Sequence, residues 1–550
     1  MSAARGAPAA TLAADEVETA ARVDEWATPS LTAVALGFVL LLALGLRLYR
    51  LDGQSLWYDE GVSAFMTTRD WAEIARAAAA DIHPPLYYWL LAAWAGPFGR
   101  GELALRGFSV VCGVLAVWVT WRLGRRLYDV AVGLVAAAVL ALSPLAVQYG
   151  QEVRMYALAS LLVAGATWAY VALHRELLTG ARRDRRRAVL GVTYGLLAAA
   201  LLYTHYYGVL VLAAHQAHFG LSVLATRRWS ALTGWLLATG LAAILYLPWL
   251  PHALRQTGYY PGLGTPRPVW TLALDMVNVL SIGLATSRFA FRPGLAPFLV
   301  LAGAGLMARP REASQINGGQ LRELVRGRLA PRPGARLLLV LWLLIPILGI
   351  VILSRTRPLY EPRFLMLVAP AWAILIGAGA VWLGRLANRA LAGRGIPTTS
   401  RGVLTGAVAA AMLIPLLVPT TRSLAAYYFD PAYARDDYRG LARRVALAEE
   451  PGDAIILTAP GQAEIFGYYF RGQSDVFPLP AQRPIDVADT LARLDALAAR
   501  HRRVWLVRWA ANEADPDDVI LRWLEARGRR TESQLFGRVE LRLYELTASA

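Results

Sequence analysis

Apolar residues in this chain come in long blocks, and the blocks rather than any alternation set its architecture. Eleven runs approach the roughly 20 apolar residues that a membrane-crossing helix needs. They fall at about 31–49, 103–121, 130–147, 155–173, 188–204, 206–225, 231–249, 295–308, 337–354, 364–384 and 402–420. The third and eighth are short. Pro144, Pro248, Pro346 and Pro415 lie in or near runs, where lipid-embedded helices tolerate proline if neighbours take up the freed carbonyls. The pattern predicts a polytopic α-helical membrane protein with about eleven transmembrane helices.

From about residue 425 the pattern changes. GDAIIL (452–457), RRVWLVRW (502–509) and RVELRLYEL (538–546) read as strands. DYRGLARRVAL (437–447), DVADTLARLDALAARH (486–501) and DPDDVILRWLEARG (515–528) read as helices. This alternation predicts a small C-terminal α/β domain outside the membrane. Tyr468, Tyr469 and Phe470 form an aromatic patch there, most simply read as strand packing. The chain thus divides into a disordered, Ala-rich N-terminus (1–30), a transmembrane domain (31–424) and an extracytoplasmic domain (425–550). No internal repeat is visible, which sets the chain apart from transporters built on inverted repeats.

Composition agrees with the membrane reading. The chain is 56% hydrophobic and 17% charged, with a mean hydropathy of +0.40. The net charge is +17, and all 56 basic residues are Arg. A nucleic-acid binder would gather such charge on a polar domain. Here Arg sits in short loops between apolar runs, notably Arg122, Arg125 and Arg126, then Arg182 to Arg187, then Arg227 and Arg228. The positive-inside bias puts these loops and the N-terminus in the cytoplasm and the C-terminus outside, in a plasma membrane. The first apolar run ends at Arg47 and reads as a retained anchor. The single Cys112 permits no intrachain disulfide and no zinc-site spacing.

Two outer segments, 50–102 and 250–294, are long enough to expect function. Both hold short helical patterns, at 71–80 and 269–283, read as amphipathic surface helices. LWYDEG (56–61) places Asp59 and Glu60 beside Trp57 and Tyr58 at the membrane surface. A carboxylate against an apolar surface is partly desolvated and makes a better base. The same acids would also suit a helix N-terminus. DIHPPLYYW (81–89) sets Asp81 and His83 before a Pro-initiated helix, whose positive end suits a phosphate or simply a cap. YGQEVRMYAL (149–158) supplies Glu152 and Arg154, either phosphate-binding or a loop salt bridge. SRTRPLYEPRF (354–364) puts Arg355, Arg357 and Arg363 on the side where the inside-positive bias disfavours them. An anionic ligand explains that, as does snorkelling to lipid phosphates. YTHYYG (203–208) places His205 at the same end, while His215 and His218 lie deeper and suit hydrogen bonding better than metal.

Taken together, YDEG after the first helix, DIHPPLYYW, QEVRMYAL, THYYGVL and the late PRF resemble the family-39 C-type (GT-C) glycosyltransferases, over roughly residues 31–420 and most closely over 50–175. That family includes protein O-mannosyltransferases and the aminoarabinose transferase of lipid A. The resemblance implies an enzyme that moves a sugar from a polyprenyl-phosphate donor to a hydroxyl of a lipid, glycan or protein on the outer face. It implies Asp59 as general base, with Glu60 beside it. Arg154, Arg363 and His83 would serve the donor phosphate, and Glu152, Asp81, Tyr58, His205 and Arg357 the substrates. His83 stands where the lipid A enzymes carry Lys; the protein O-mannosyltransferases have a similar Asp-x-His-Pro-Pro stretch. A single displacement by one base predicts inversion, and no metal or other cofactor is required. A transporter or lipid flippase is the rival, but it would place ionisable residues inside the spans, where the sequence offers almost none. A receptor would leave the Asp59–Glu60 loop without purpose and would need a cytoplasmic output domain.

Overall fold

The computed structural model describes residues 29–179, 184–259, 267–284, 292–308, 334–392, 406–459 and 461–547. The N-terminal segment 1–28 and most of the basic segment 309–336 lie outside the described residues. Each of the eleven predicted runs coincides with a helix or a bent helix pair. Seven helices among the described residues are long and apolar enough to cross a membrane, or nine if each bent pair is one span. The other two predicted runs are Asp184–Leu202, which opens on three arginines, and Ala296–Met307, which is only 12 residues long. The protein is a multi-pass membrane protein.

Both bends have a local cause. Val130–Leu142 and Pro144–Gly150 meet at 62°. Ser143 turns the chain there, its Oγ accepting the Ala146 N–H at 3.4 Å, and Pro144 starts the new helix. Ala231–Tyr246 and the helix from Leu250 meet at 73° around Pro248. Small residues allow close packing elsewhere: a Cβ on Gly379 or Gly305 would overlap the Leu301 or Leu375 carbonyl across the contact of Ala296–Met307 with Ala369–Ala392.

The spans hold more buried ionisable side chains than the sequence reading allowed. Arg47 and Arg106 are buried within helices, as are His174, His215 and His218. The sequence shows Arg47, His215 and His218, but Arg106 and His174 leave no local signal there, because their partners are distant along the chain. Arg47 donates to the Ala43 and Ala141 carbonyls. Thr167, Tyr170 and His174 of one helix meet His215, His218 and Ser222 of another at 3.1, 2.6 and 2.8 Å. All three pairs share one sequence offset, so they act as a polar register between two parallel helices.

At one end of the bundle three short helices, Tyr58–Met66, Trp71–Ala80 and Leu86–Phe98, fill the segment between the helices Pro29–Leu48 and Glu102–Leu127. Asp70 and Glu73 form a capping box at the second of these. The C-terminal sheet covers the same end. Strands β1 (Ala454–Leu457), β2 (Asp475–Pro478), β3 (Arg503–Arg508), β4 (Gly528–Phe536) and β5 (Val539–Leu546) lie in the order β2-β1-β3-β5-β4. The first three are parallel, and β5 and β4 continue antiparallel. Three of these strands and three of the helices were predicted. β2, β4 and the helix Gln462–Tyr469 were not. β4 reads GRRTESQLF and is largely solvent-facing, so it lacks the apolar alternation that marks a half-buried strand. Tyr468 and Tyr469 close a helix rather than a strand.

Candidate active site

The loop Leu51–Trp57 leads into the helix Tyr58–Met66, and the first turn of that helix carries Asp59 and Glu60. Consecutive helical positions lie about 100° apart, so the two carboxylates face different surroundings.

Asp59 faces a partly open cluster, with its side chain 23% exposed. Its Oδ2 lies 3.0 Å from an Arg363 nitrogen and 3.7 Å from an Arg154 nitrogen. Arg154 is buried, although it belongs to the loop before the helix Tyr156–Thr179. It donates to the Asp59 carbonyl at 3.2 Å and lies 3.0 Å from His83 Nε2. A guanidinium can only donate, so Nε2 accepts and the His83 proton sits on Nδ1. Nδ1 lies 2.9 Å from Asp81 Oδ2 and donates to it. Burial, with the Arg154 charge beside it, lowers the His83 pKa, which keeps the ring neutral. Burial alone would raise Asp81, but its hydrogen bonds with His83 and the Ile82 backbone, and the Arg154 charge, hold it below the usual carboxylate value. Arg363 stands over the Tyr156 ring at 5.8 Å, and its Nε lies 3.8 Å from Glu361. The result is a connected chain of hydrogen bonds and ion pairs: Asp81, His83, Arg154, Asp59, Arg363, Glu361. His205 lies beneath it against Phe364 and Tyr156. Burial, then the charges of its neighbours, push its pKa down to about 3.

Glu60 faces the opposite way and is fully buried. Its carboxylate accepts from Arg106 at 2.9 and 3.1 Å, from Arg435 at 3.1 Å and from the Val153 N–H at 2.8 Å. It also accepts the Trp57 N–H at 3.3 Å, which caps its own helix. Burial pushes Glu60 up, but the Arg106 and Arg435 charges and these hydrogen bonds hold it below its ordinary value. Arg435 also pairs with Glu152, which is buried and lies next to Val153. There burial outweighs the Arg435 charge and raises the pKa.

The predicted residues therefore separate. Asp59, Arg154, Arg363, His83 and Asp81 meet, with His205 packed against them. Glu60 and Glu152 are joined to each other through Arg435, and their hydrogen bonds are those of an anchor. Tyr58 stacks on Trp509 of the C-terminal domain, centroids 4.6 Å apart at 18°. Arg357 donates to the Gly258 carbonyl at 2.7 Å, in the helix Leu250–Tyr259 and away from the Asp59 cluster. Among the described residues no group of three or more His, Cys, Asp or Glu is arranged to hold a metal. Sequence reasoning missed Arg106, Arg435 and Glu361. Arg106 follows Glu102 by one helical turn at the polar end of its run, and Glu361 lies two residues before Arg363. Arg435 stands in an Arg-Asp-Asp run with no local signal of its role.

Residues 82–252 match the family model of dolichyl-phosphate-mannose-protein mannosyltransferases. None of the curated proteins compared with the chain matches it. The fold resembles that of ArnT from Cupriavidus metallidurans, solved bound to undecaprenyl phosphate, with a TM-score of 0.54 at 14% identity over 95% of this chain and 99% of that one. It also resembles the archaeal oligosaccharyltransferase AglB from Archaeoglobus fulgidus, solved with an inhibitory peptide and a dolichol-phosphate. There the TM-score is 0.52 at 12% identity, over 86% of this chain and 69% of that one. At such identities these likenesses are of fold. The family match is confined to residues 82–252, and the likeness to the solved C-type glycosyltransferases is one of fold over most of the chain.

Proposed function

We propose that the protein transfers a sugar, with inversion, from a polyprenyl-phosphate donor to an acceptor hydroxyl on the outer face of the plasma membrane, with Asp59 as general base. The observation that carries this reading is the junction of Asp59 with Arg363 and Arg154. It joins a partly exposed carboxylate to two guanidiniums that suit a phosphate.

Without substrate the arginines take Asp59 as their counter-ion. An arriving donor phosphate would share those guanidiniums and free the carboxylate. The acceptor oxygen then attacks the anomeric carbon while its proton passes to Asp59. The bond from that carbon to the phosphate oxygen breaks, and the lipid phosphate leaves with the electron pair. Arg363 and Arg154 stabilise its charge as it develops. The neutral His83, held by Asp81, fixes the Arg154 guanidinium against Asp59. One base and one departing group in a single displacement require inversion.

One further feature supports the reading: the folds of ArnT and AglB are known with undecaprenyl phosphate and dolichol-phosphate respectively. A small apolar pocket lined by Val139, Leu280, Phe298, Trp372 and Leu416, among others, lies between the helices apart from the charged site.

The test is transfer from labelled polyprenyl-phosphate sugars in reconstituted vesicles, by wild type and Asp59→Asn. Transfer by wild type, lost in a folded Asp59→Asn, supports both the reaction and the base. Equal transfer by both would move the base elsewhere. No transfer from any donor in a broad panel would overturn the reaction.

A further inference from the structure

The helix that carries Asp59 is held by more than the membrane bundle. Arg435 lies in the link between the last membrane helix, which ends at Phe429, and the C-terminal sheet. Its guanidinium reaches Glu60 at 3.1 Å and pairs with Glu152, and it stands over the Trp57 ring at 5.6 Å. Its backbone N–H donates to Gln54 Oε1 at 3.0 Å. Around it, successive loop residues bond to the C-terminal domain. Ser55 Oγ donates to the Asp436 carbonyl at 2.9 Å and accepts the Tyr438 N–H at 3.1 Å. The Leu56 N–H donates to the Tyr469 hydroxyl at 2.7 Å. Tyr58 stacks on Trp509. Gly61 lies so close to Ile465 that any Cβ would overlap it.

We propose that the C-terminal domain is part of the active site and that Arg435 is a positioning residue, setting the placement of Asp59 by holding Glu60 and Glu152. This rests on the reading of Asp59 as the base. The chemistry is that of charge compensation in a buried place. Arg435 is the ion-pair partner of Glu152 and one of two for Glu60. Without it, Glu60 keeps only Arg106, and the nearby buried Glu152 keeps no ion-pair partner. Like charges so placed repel until one takes a proton or the chain moves. Movement is open to the helix Tyr58–Met66, which is short and bonded to the loop that Arg435 pins. Asp59 sits in its first turn and would move with it.

The test uses the full chain in lipid nanodiscs and three variants: Arg435→Met, Arg435→Lys and Arg435→Met combined with Glu152→Gln. Two readouts are needed, transfer kinetics and amide hydrogen exchange over residues 54–66. Arg435→Met is expected to lower kcat about 10²-fold, the scale of a misplaced reacting group. The donor KM should change little, and exchange over 57–63 should quicken. Arg435→Lys should recover part of both by restoring a charge. The added Glu152→Gln should also recover part, because it removes the uncompensated carboxylate. Such recovery by a second loss is something a general packing defect would not give. Wild-type kcat and wild-type exchange in Arg435→Met would overturn the proposal. So would equal loss in all three variants with exchange raised across the whole chain. If wild type itself transfers from no donor, the reaction falls, while exchange over 54–66 still decides whether Arg435 holds the helix.

Discussion

Asp59 and Glu60 are adjacent in sequence and acidic alike, yet the two sides of their helix treat them differently. On the Asp59 side the carboxylate is partly exposed and shared by Arg363 and Arg154, with the more distant contact still 3.7 Å long. On the Glu60 side the carboxylate is sealed, with two arginines and two backbone N–H groups at hydrogen-bond distance. The contrast lies in spare capacity. A base must meet its substrate and hold a lone pair for the incoming proton. An anchor does best with every lone pair taken and no water nearby. On the proposed reading of Asp59 as base and Glu60 as anchor, one turn of helix supplies both, and the anchored acid orients the free one.

The largest expected effect tests the free side. Asp59→Asn should lower kcat by about 10²- to 10⁴-fold, the range for loss of a general base, with little change in thermal stability. Stability is read by melting in detergent alongside the transfer assay. If Asp59→Asn melted as early as a Glu60 variant, the distinction between base and anchor would fail.

Glu60→Gln should do the reverse. It leaves Arg106 and Arg435 short of their counter-charge, and breaking such a buried set costs about 3 to 5 kcal/mol. The variant should melt well below wild type and lose activity in proportion to the protein lost. A Glu60→Gln protein with wild-type stability and no transfer would instead make Glu60 a chemical group. Arg363→Gln comes next. Loss of one stabilising donor to a developing anion costs about 10²- to 10³-fold in rate. The change should fall on kcat with any donor phosphate, and the fold should survive because Arg363 holds no part of the Glu60 cluster.

Much of this architecture is legible in the sequence, for a physical reason. Membrane spans are written as apolar blocks, because lipid enforces length and composition. Seven to nine of the eleven predicted runs meet the length and composition of a span among the described residues. The residues around Asp59 were also visible, because each sits in a short motif where acid, Arg or His follows an apolar run. The Glu60 side was not. Arg106 looks like the polar end of a helix, and Arg435 is separated from Glu60 by 375 residues. An ion pair between segments so far apart leaves no local pattern. Glu60 itself looked like a twin of Asp59, because sequence gives adjacency and only the helix gives direction. β4 escaped for a different reason: a strand with most of its side chains in solvent carries no hydrophobic period.

The smallest expected effect concerns acid, and it separates the two sides again. His205 packs under the Asp59 side, with its Nδ1 accepting the Tyr207 N–H at 3.3 Å. Its folded pKa is about 3, against an ordinary value near 6.5. The unfolded chain therefore takes up a proton there as pH falls below about 6.5, while the folded chain refuses it until about 3. Protons bind the unfolded state more, so this contribution to stability is present above about pH 6.5 and fades as pH falls through that window. Between pH 7 and 5.5 the loss is about 1 kcal/mol. His205→Asn keeps an acceptor near the Nδ1 position and cannot take the proton. Its melting temperature should decline less over that range than that of wild type. A parallel decline in both would mean that acid acts first elsewhere, with the Glu60 side the next place to look.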